Sequence, residues 1–287
     1  MKPAPFDYAL ATSIEEAIRF LASSEGEAII LAGGQTLMPM LSMRLARPDL
    51  VIDINEITDL SGIENIGEKI RIKAMTRQVA ALNSHIIAAG LPLLHKGLEF
   101  VGHIQTRNRG TVGGSIAHAD PAAEIPLAAL ALNAEVELQS VRGVRYVPMM
   151  DFFVGPLMTV READELLVAI QFPSLEKEAC IGTSFKEVSE RHGDFAVVAV
   201  AVQLIFDEDV CSQAAVALGG VDDTPIRVRE LEAALVGHSL RTESPIGILD
   251  LIGDAINPST DQHGTANYRR RVARELAARA IQEAAGK

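Results

Sequence analysis

The sequence predicts an α+β protein made of more than one compact unit. Three observations carry this. The first 55 residues alternate helical and strand patterns. Residues 60–75 read as a polar-tipped hairpin. The last third reads as three strands followed by helices. At 287 residues the chain is long enough for two or three units with a sizeable core.

The elements follow in order. Ser13 and Glu16 have capping-box spacing, and Ile14, Ala17, Ile18 and Leu21 share one helical face. `EAIILA` and `PDLVIDI` are short apolar runs of buried-strand type, with a short helix over `TLMPMLSMRL` between them. After the hairpin, Thr76 is placed to cap a helix over `RQVAALNSHIIAA`, and Pro92 opens a further helix. A polar stretch, `HIQTRNRGTVGGSIAHADPAAEIP`, leads to a helix over `LAALALN`. Strands are expected at `AEVELQS`, `VRYVPM` and `ELLVAIQFP`, and `SLEKEA` is the best linker candidate. `CIGTSFKEV`, `DFAVVAVAVQLIF` and `VCSQAAVALGGV` then read as three strands. Helices are expected near 226–236, near 244–256 and over `YRRRVARELAARAIQEAA`. Cuts near 57 and 174 divide the chain into 1–57, 58–174 and 175–287.

Composition excludes several classes. Apolar residues make up 48% and charged residues 22%, an ordinary globular balance. The net charge of −12 gives no counterion-release gain on DNA or RNA, which argues against nucleic-acid binding. The start of the chain shows no secretory signal and no apolar run reaches membrane-span length, so a cytoplasmic location is expected. Cys180 and Cys211 make no CxxC pair, so neither a structural zinc nor an iron–sulfur cluster is expected in this chain. His118, Asp120 and Glu124 are ligand types, but their spacing across Pro121 matches no metal site.

Two stretches carry chemistry. `AGGQT` at 32–36 and `TVGGS` at 111–115 each pair two glycines with hydroxyl or amide residues. Glycine permits close backbone approach, and consecutive N–H groups form nests that bind anions. Two such loops can clasp a pyrophosphate from both sides. Each loop alone also reads as a tight turn. G-x-G-x-x-G, the P-loop and the G-x-S-x-G elbow are all absent.

`AGGQTLMPMLSMRLARPDLVIDIN` together with `TRNRGTVGGSIAHADPAAEIP` resembles the FAD-binding medium subunit of the molybdenum hydroxylases. This is the carbon monoxide dehydrogenase, xanthine dehydrogenase and aldehyde oxidase family. The opening `KPAPFDYALATSIEEAIRFLA` is also similar to the family's start, and the resemblance covers nearly the whole length. It implies a p-cresol methylhydroxylase-like fold: two α/β subdomains for FAD, then a C-terminal α+β domain with a three-stranded sheet and helices.

The resemblance also implies site residues. Ala32, Gly33, Gly34, Gln35 and Thr36 would hold the FAD pyrophosphate, flanked by Leu31, Leu37 and Met38. Thr111, Val112, Gly113, Gly114 and Ser115 would form the second loop. Glu124, where many relatives carry Asp, would approach the ribityl chain, Leu167 would pack on the flavin, and Lys186 would lie near the isoalloxazine. Val101 would lie near the adenine or the ring edge. No residue is expected to be catalytic by itself.

Through the family, the chain is expected to pass electrons from two-iron, two-sulfur clusters on a small subunit, through FAD, to an external acceptor. The molybdenum cofactor would sit on a large subunit, and the assembly would be a dimer of heterotrimers. A stand-alone flavoprotein oxidoreductase and a non-catalytic scaffold subunit are the alternatives.

Overall fold

The computed structural model describes residues 2–175, 180–242 and 245–286. The first layer is a small parallel sheet of β1 (Asp7–Leu10), β2 (Ala28–Leu31) and β3 (Leu50–Asp53), in the order β1-β3-β2. Helix α1 (Ile14–Ser23) links β1 to β2, and α2 (Leu37–Ser42) links β2 to β3. Ala17, Ile18 and Leu21 of α1 are buried, as their shared face requires. Ser13 caps α1 by accepting from the Glu16 N–H, but the Glu16 carboxylate accepts from Thr12 instead of Ser13. The sequence reading did not include β1. Its four mostly exposed residues carry no apolar period, and its pairing with β3 makes it a strand.

An antiparallel sheet follows, in the order β4-β5-β10-β6-β7. Its strands are β4 (Ile63–Ile66), β5 (Lys69–Lys73), β6 (Glu135–Ser140), β7 (Gly143–Pro148) and β10 (Leu166–Pro173). Strands β8 (Phe153–Gly155) and β9 (Met158–Thr159) form a small separate ribbon. The helix expected over 77–89 is two helices, α3 (Gln78–Leu82) and α4 (His85–Gly90), because Ser84 starts a new one by accepting from the Ile87 N–H. Thr76 does not cap α3. Its hydroxyl bridges the N–H and C=O of Gly62, closing the hairpin entry. Next come α5 (Pro92–Phe100), α6 (Ile104–Arg109), α7 (Val112–His118), α8 (Glu124–Ala131) and α9 (Met149–Phe152). Every residue of α8 is buried, which explains why its apolar residues show no preferred face.

The last unit is an antiparallel sheet of β11 (Cys180–Val188), β12 (Val198–Asp207), β13 (Val210–Gly219) and β14 (Ile226–Arg227), in sequence order. The expected three strands gain a two-residue fourth, and α10 (Arg229–Leu235) starts after it. Part of the expected 244–256 helix and most of the `SLEKEA` linker lie outside the described residues. Within the rest, α11 (Leu251–Ala255) and the long α12 (Ala266–Ala284) follow. The `VAVAV` alternation of β12 has a consequence for packing. Val198, Val200 and Val202 join Ala277, Ala280 and Ile281 of α12 in one core. Ala199 and Ala201 face the other way, into the core that holds α5 and α8. Small residues on that side let two helices lie close to the sheet.

Candidate functional site

The first glycine stretch is the turn from β2 into α2, at the carboxyl ends of three parallel strands. That edge is where open parallel sheets receive ligands. Gly34 has φ +70°, in the left-handed region that a side chain enters at a cost of about 1–2 kcal/mol. A Cβ on Gly34 would also meet Met38 and Leu31, which flank the turn. Gly33 serves a different purpose. A Cβ there would stand 2.5 Å from the Arg109 carbonyl oxygen and 2.9 Å from Gly110 Cα. Among the described residues, the N–H groups of Gly33, Gly34, Gln35 and Thr36 meet no protein acceptor. The Gln35 amide donates to the Gly33 carbonyl, and the Thr36 hydroxyl has no partner among the described residues. This run of consecutive donors suits an anion.

The second glycine stretch is not a loop. Thr111 caps α7, its hydroxyl accepting from the Gly114 N–H at 3.0 Å. The Val112 N–H donates to Thr76 O at 3.0 Å, Gly113 to Ala74 O at 2.9 Å and Ser115 to Thr111 O at 3.2 Å. The expected second nest of free backbone donors is therefore corrected: these N–H groups are engaged within the chain. Gly113 is glycine because α7 lies against the end of β5, where a Cβ would come within 2.6–2.8 Å of Ala74 atoms. A Cβ on Gly114 would stand 2.6 Å from the capping Thr111 hydroxyl and 3.9 Å from Ala32 Cβ. The two stretches meet at this point, and the Ser115 hydroxyl beside it has no protein partner among the described residues.

A polar chain ties the stretches together. The Asn55 amide donates to Ala32 O at 2.9 Å and to Asp53 Oδ1 at 2.6 Å. Arg77 Nη2 donates to Asn55 Oδ1 at 2.8 Å, and its Nη1 donates to the Arg109 carbonyl. The Tyr8 hydroxyl donates to Asp53 Oδ2 at 2.8 Å. Burial pushes the Asp53 carboxyl up, but hydrogen bonds from Asn55 and Tyr8 and the Arg109 charge outweigh it and hold it below its ordinary value. Burial and the nearby Arg109 charge pull the Arg77 guanidinium down. The sequence reading did not single out Asn55 or Arg77. The signal available was `VIDIN`, which places polar residues directly after a buried strand.

The other expected site residues are dispersed. Leu37 is half-buried and Met38 is exposed. Val101 is buried, and its carbonyl accepts from Arg107 at 2.7 Å. Beside it, Gly193 of the loop between β11 and β12 lies against His103, so a C-terminal loop reaches the 101–103 turn. Phe195 on that loop is 59% exposed, and the sequence reading passed over it. Leu167 is packed in the core of the five-stranded sheet, beside the bulge in β10. Lys186, expected near the isoalloxazine, is engaged within the chain. Its ammonium pairs with Glu283 of α12, and Gly182 and Ser184, on the same face of β11, also meet that helix. Glu187, the next residue, lies on the opposite face of β11, and burial with the Glu124 charge pushes its carboxyl up to about 8. Glu124 is 4% exposed at the start of α8, and burial pushes its carboxyl up to about 7. Asp120 accepts from the Ala122 N–H and shapes the turn before α8. Among the described residues no cluster of His, Cys, Asp and Glu is arranged to hold a metal ion. No described helix is long and apolar enough to cross a membrane.

Residues 4–175 match the family described as the FAD binding domain in molybdopterin dehydrogenase. Residues 183–284 match the CO dehydrogenase flavoprotein C-terminal domain. The chain is 38% identical to the 6-hydroxypseudooxynicotine dehydrogenase complex subunit alpha of Paenarthrobacter nicotinovorans, over 99% of this chain and 96% of that one. It is 36% identical to the glyceraldehyde dehydrogenase medium chain of Sulfolobus acidocaldarius, over 99% of this chain and 100% of that one. Among solved structures, carbon monoxide dehydrogenase from Hydrogenophaga pseudoflava matches with a TM-score of 0.95 and 34% identity, covering 99% of this chain and 98% of that one. The chain thus carries an FAD-binding domain on the expected α+β fold. It belongs to the FAD-binding medium subunits of the molybdenum hydroxylases, the family of the carbon monoxide and xanthine dehydrogenases, and is an oxidoreductase flavoprotein subunit.

Proposed function

We propose that this chain is the electron-transfer subunit of a heteromeric, cytoplasmic molybdenum hydroxylase. It takes electrons from two-iron, two-sulfur clusters on a small partner subunit and delivers them through FAD to an external acceptor. One observation carries the cofactor reading: four consecutive unengaged N–H groups, from Gly33 to Thr36, lie at the carboxyl ends of parallel strands. That donor run fits a pyrophosphate. Bound FAD would supply the two-electron chemistry, and this chain would supply position and surroundings.

The residues then divide by task. Gly33 to Thr36 hold the pyrophosphate, with Leu31, Leu37 and Met38 at the flanks. Gly114 and Ser115 would close the second side, Gly114 by leaving the space toward Ala32 without a side chain and Ser115 through a hydroxyl that has no partner among the described residues. Thr111, Val112 and Gly113 position that side through hydrogen bonds to the β5 end and the segment after it. Val101, Glu124 and Leu167 would contact bound FAD away from its pyrophosphate. Lys186 holds α12 through Glu283.

Cys180 and Cys211 cannot ligate a four-cysteine cluster, which places the iron–sulfur clusters on a partner subunit in this reading. The molybdenum cofactor would sit on a large subunit, in a dimer of heterotrimers. Relatives named for different substrates match this chain over nearly its whole length, which supports placing substrate choice on the large subunit. The test is a visible spectrum of the protein co-purified with its partners, followed by release of the cofactor. Releasable FAD with iron–sulfur absorbance is expected. FAD without partners would favour a stand-alone flavoenzyme, and no flavin in either preparation would overturn the reading.

A further inference from the structure

Arg77 stands where both glycine stretches are fastened. Its backbone forms an antiparallel bridge with Thr111. On either side of that bridge the Val112 N–H donates to Thr76 O at 3.0 Å and the Gln78 N–H to Gly110 O at 2.9 Å. Residues 76–78 thus run along 110–112 as a short ladder. The Arg77 side chain crosses to the first stretch. Its Nη1 donates to the Arg109 carbonyl, the atom against which Gly33 packs. Its Nη2 donates at 2.8 Å to Asn55 Oδ1, and the amide of Asn55 holds Ala32 O. The packing beneath is tight, since a Cβ on Gly110 would stand 2.4 Å from Gln78 Oε1. Gly33 carries the first free N–H of the nest, so the guanidinium lies directly behind the donor run.

This half-buried guanidinium has no carboxylate partner. Among the described residues Arg77 forms no ion pair, and both of its bonds go to neutral oxygens. Arg109, exposed beside it, forms no ion pair among them either. Asp53 is the acid whose charge reaches Arg77, but its Oδ1 accepts from Asn55 and its Oδ2 from Tyr8. Glu56 acts on Tyr8, at the far end of the same chain of contacts. A half-buried cation held by neutral acceptors alone costs stability in the empty protein, and an arriving anion offsets that cost. Arginine suits the place because its planar fork reaches two acceptors in fixed directions, which a single ammonium does not.

We propose that Arg77 is a positioning residue for the FAD pyrophosphate, a charged strap that holds the 109–112 segment against the first glycine turn and keeps an unpaired positive charge behind the nest. The strap rests on the FAD reading given under Proposed function only for the identity of its anion. Arg77 acts through Asn55 and the Arg109 carbonyl, while the N–H groups of Gly33 to Thr36 take the phosphate oxygens. Its geometry and its charge serve the same end. The two sides of the site stay at a fixed spacing, and the field behind the donor run favours an anion in front of it.

The test compares Arg77→Gln and Arg77→Lys with the native protein, as the full flavin-free chain and as the complex stripped of flavin. In the flavin-free chain, hydrogen exchange of the Gln78, Val112 and Gly113 amides, which bond along the ladder and to Ala74 beside it, reads the strap. Exchange should be about tenfold faster in Arg77→Gln, and faster also in Arg77→Lys, which loses one of the two donor directions. Unchanged exchange in both overturns the strap. In the complex, FAD affinity is titrated by flavin fluorescence at about 20 and about 500 mM salt. Arg77→Gln should bind FAD about thirtyfold more weakly than the native protein at the lower salt and about tenfold more weakly at the higher, because salt screens a lost charge but not a lost contact. Arg77→Lys keeps the charge, so its deficit should be equal at both. An Arg77→Gln deficit that does not change with salt marks a neutral staple and overturns the charged strap. Faster exchange in the variants of a protein whose native complex takes no FAD supports the strap and overturns the cofactor reading instead. If Arg77→Gln fails to fold, Arg77→Lys decides: unchanged exchange, or a deficit that shrinks with salt, overturns the proposal.

Discussion

Replacing Gly33 with alanine tests whether the two glycine stretches must touch for the site to form. The added Cβ would stand 2.5 Å from the Arg109 carbonyl oxygen and 2.9 Å from Gly110 Cα. A relaxed carbon–oxygen contact needs roughly 3.3 Å, so the backbones must part by roughly 0.8 Å. Both obstructing atoms are main chain, and neither swings aside as a side chain does. Overpacking of this kind costs about 1–3 kcal/mol. The displacement also disturbs the Arg77 bond to the Arg109 carbonyl and the Asn55 bond to Ala32. In a chain of this size the melting temperature should fall by roughly 2–4 °C per kcal/mol. The N–H run would move out of register with a bound pyrophosphate, and each charge-assisted hydrogen bond lost costs about 1.5–3 kcal/mol. A ten- to hundredfold weaker FAD affinity is therefore expected, at about 1.4 kcal/mol per tenfold. The assay is a flavin-fluorescence titration beside a thermal melt. Gly34→Ala is the comparison: its Cβ would meet only side-chain atoms, leaving the φ of +70° as the main cost. Native stability and FAD affinity within about twofold in Gly33→Ala would refute the argument.

Three further substitutions separate local roles. Asn55→Ala removes the donor to Ala32 O and the acceptor of Arg77 Nη2, leaving a half-buried guanidinium short of a partner. A loss of about 1–3 kcal/mol and a lower flavin-to-protein ratio are expected, and unchanged flavin content would remove Asn55 from the site. Gly113→Val has no room against Ala74, so the expected outcome is a chain that does not fold; a folded, merely flavin-free variant would show that Gly113 serves the ligand and not the β5 contact. Lys186→Met breaks a part-exposed pair with Glu283, worth about 0–1 kcal/mol. It should leave the flavin reduction potential unaltered, and a shifted potential would return Lys186 to the ring.

How much of this was legible in sequence follows from the range of each signal. The capping of α1 by Ser13, the hairpin of β4 and β5, and the long strands of the last unit rest on residues close together in the chain. Their periods and turn residues are local, so they read directly. Strand β1 and the two-residue β14 have no such signal, because each is a strand only through a distant partner. The break after α3 is also local, but Ser84 inside an apolar pattern competes with the helix period, and the period was the stronger signal.

The site divides in the same way. Two glycine pairs in the `AGGQT` and `TVGGS` contexts were enough, through resemblance, to mark the family. Tertiary structure alone decided why each glycine is there. Gly34 serves φ, Gly33 the contact with the 109–110 segment, and Gly113 the contact with Ala74. It also decided which N–H groups remain free, because a donor's acceptor can lie anywhere in the chain: those of Val112 and Gly113 find theirs at Thr76 and Ala74, and those of Gly33 and Gly34 find none among the described residues. Strand alternation and the helix stacked on each face decided that Lys186 turns to α12 and Phe185, one residue before it, to α5. Sequence determines which residues alternate, but only the packed layers determine which side of the sheet is which.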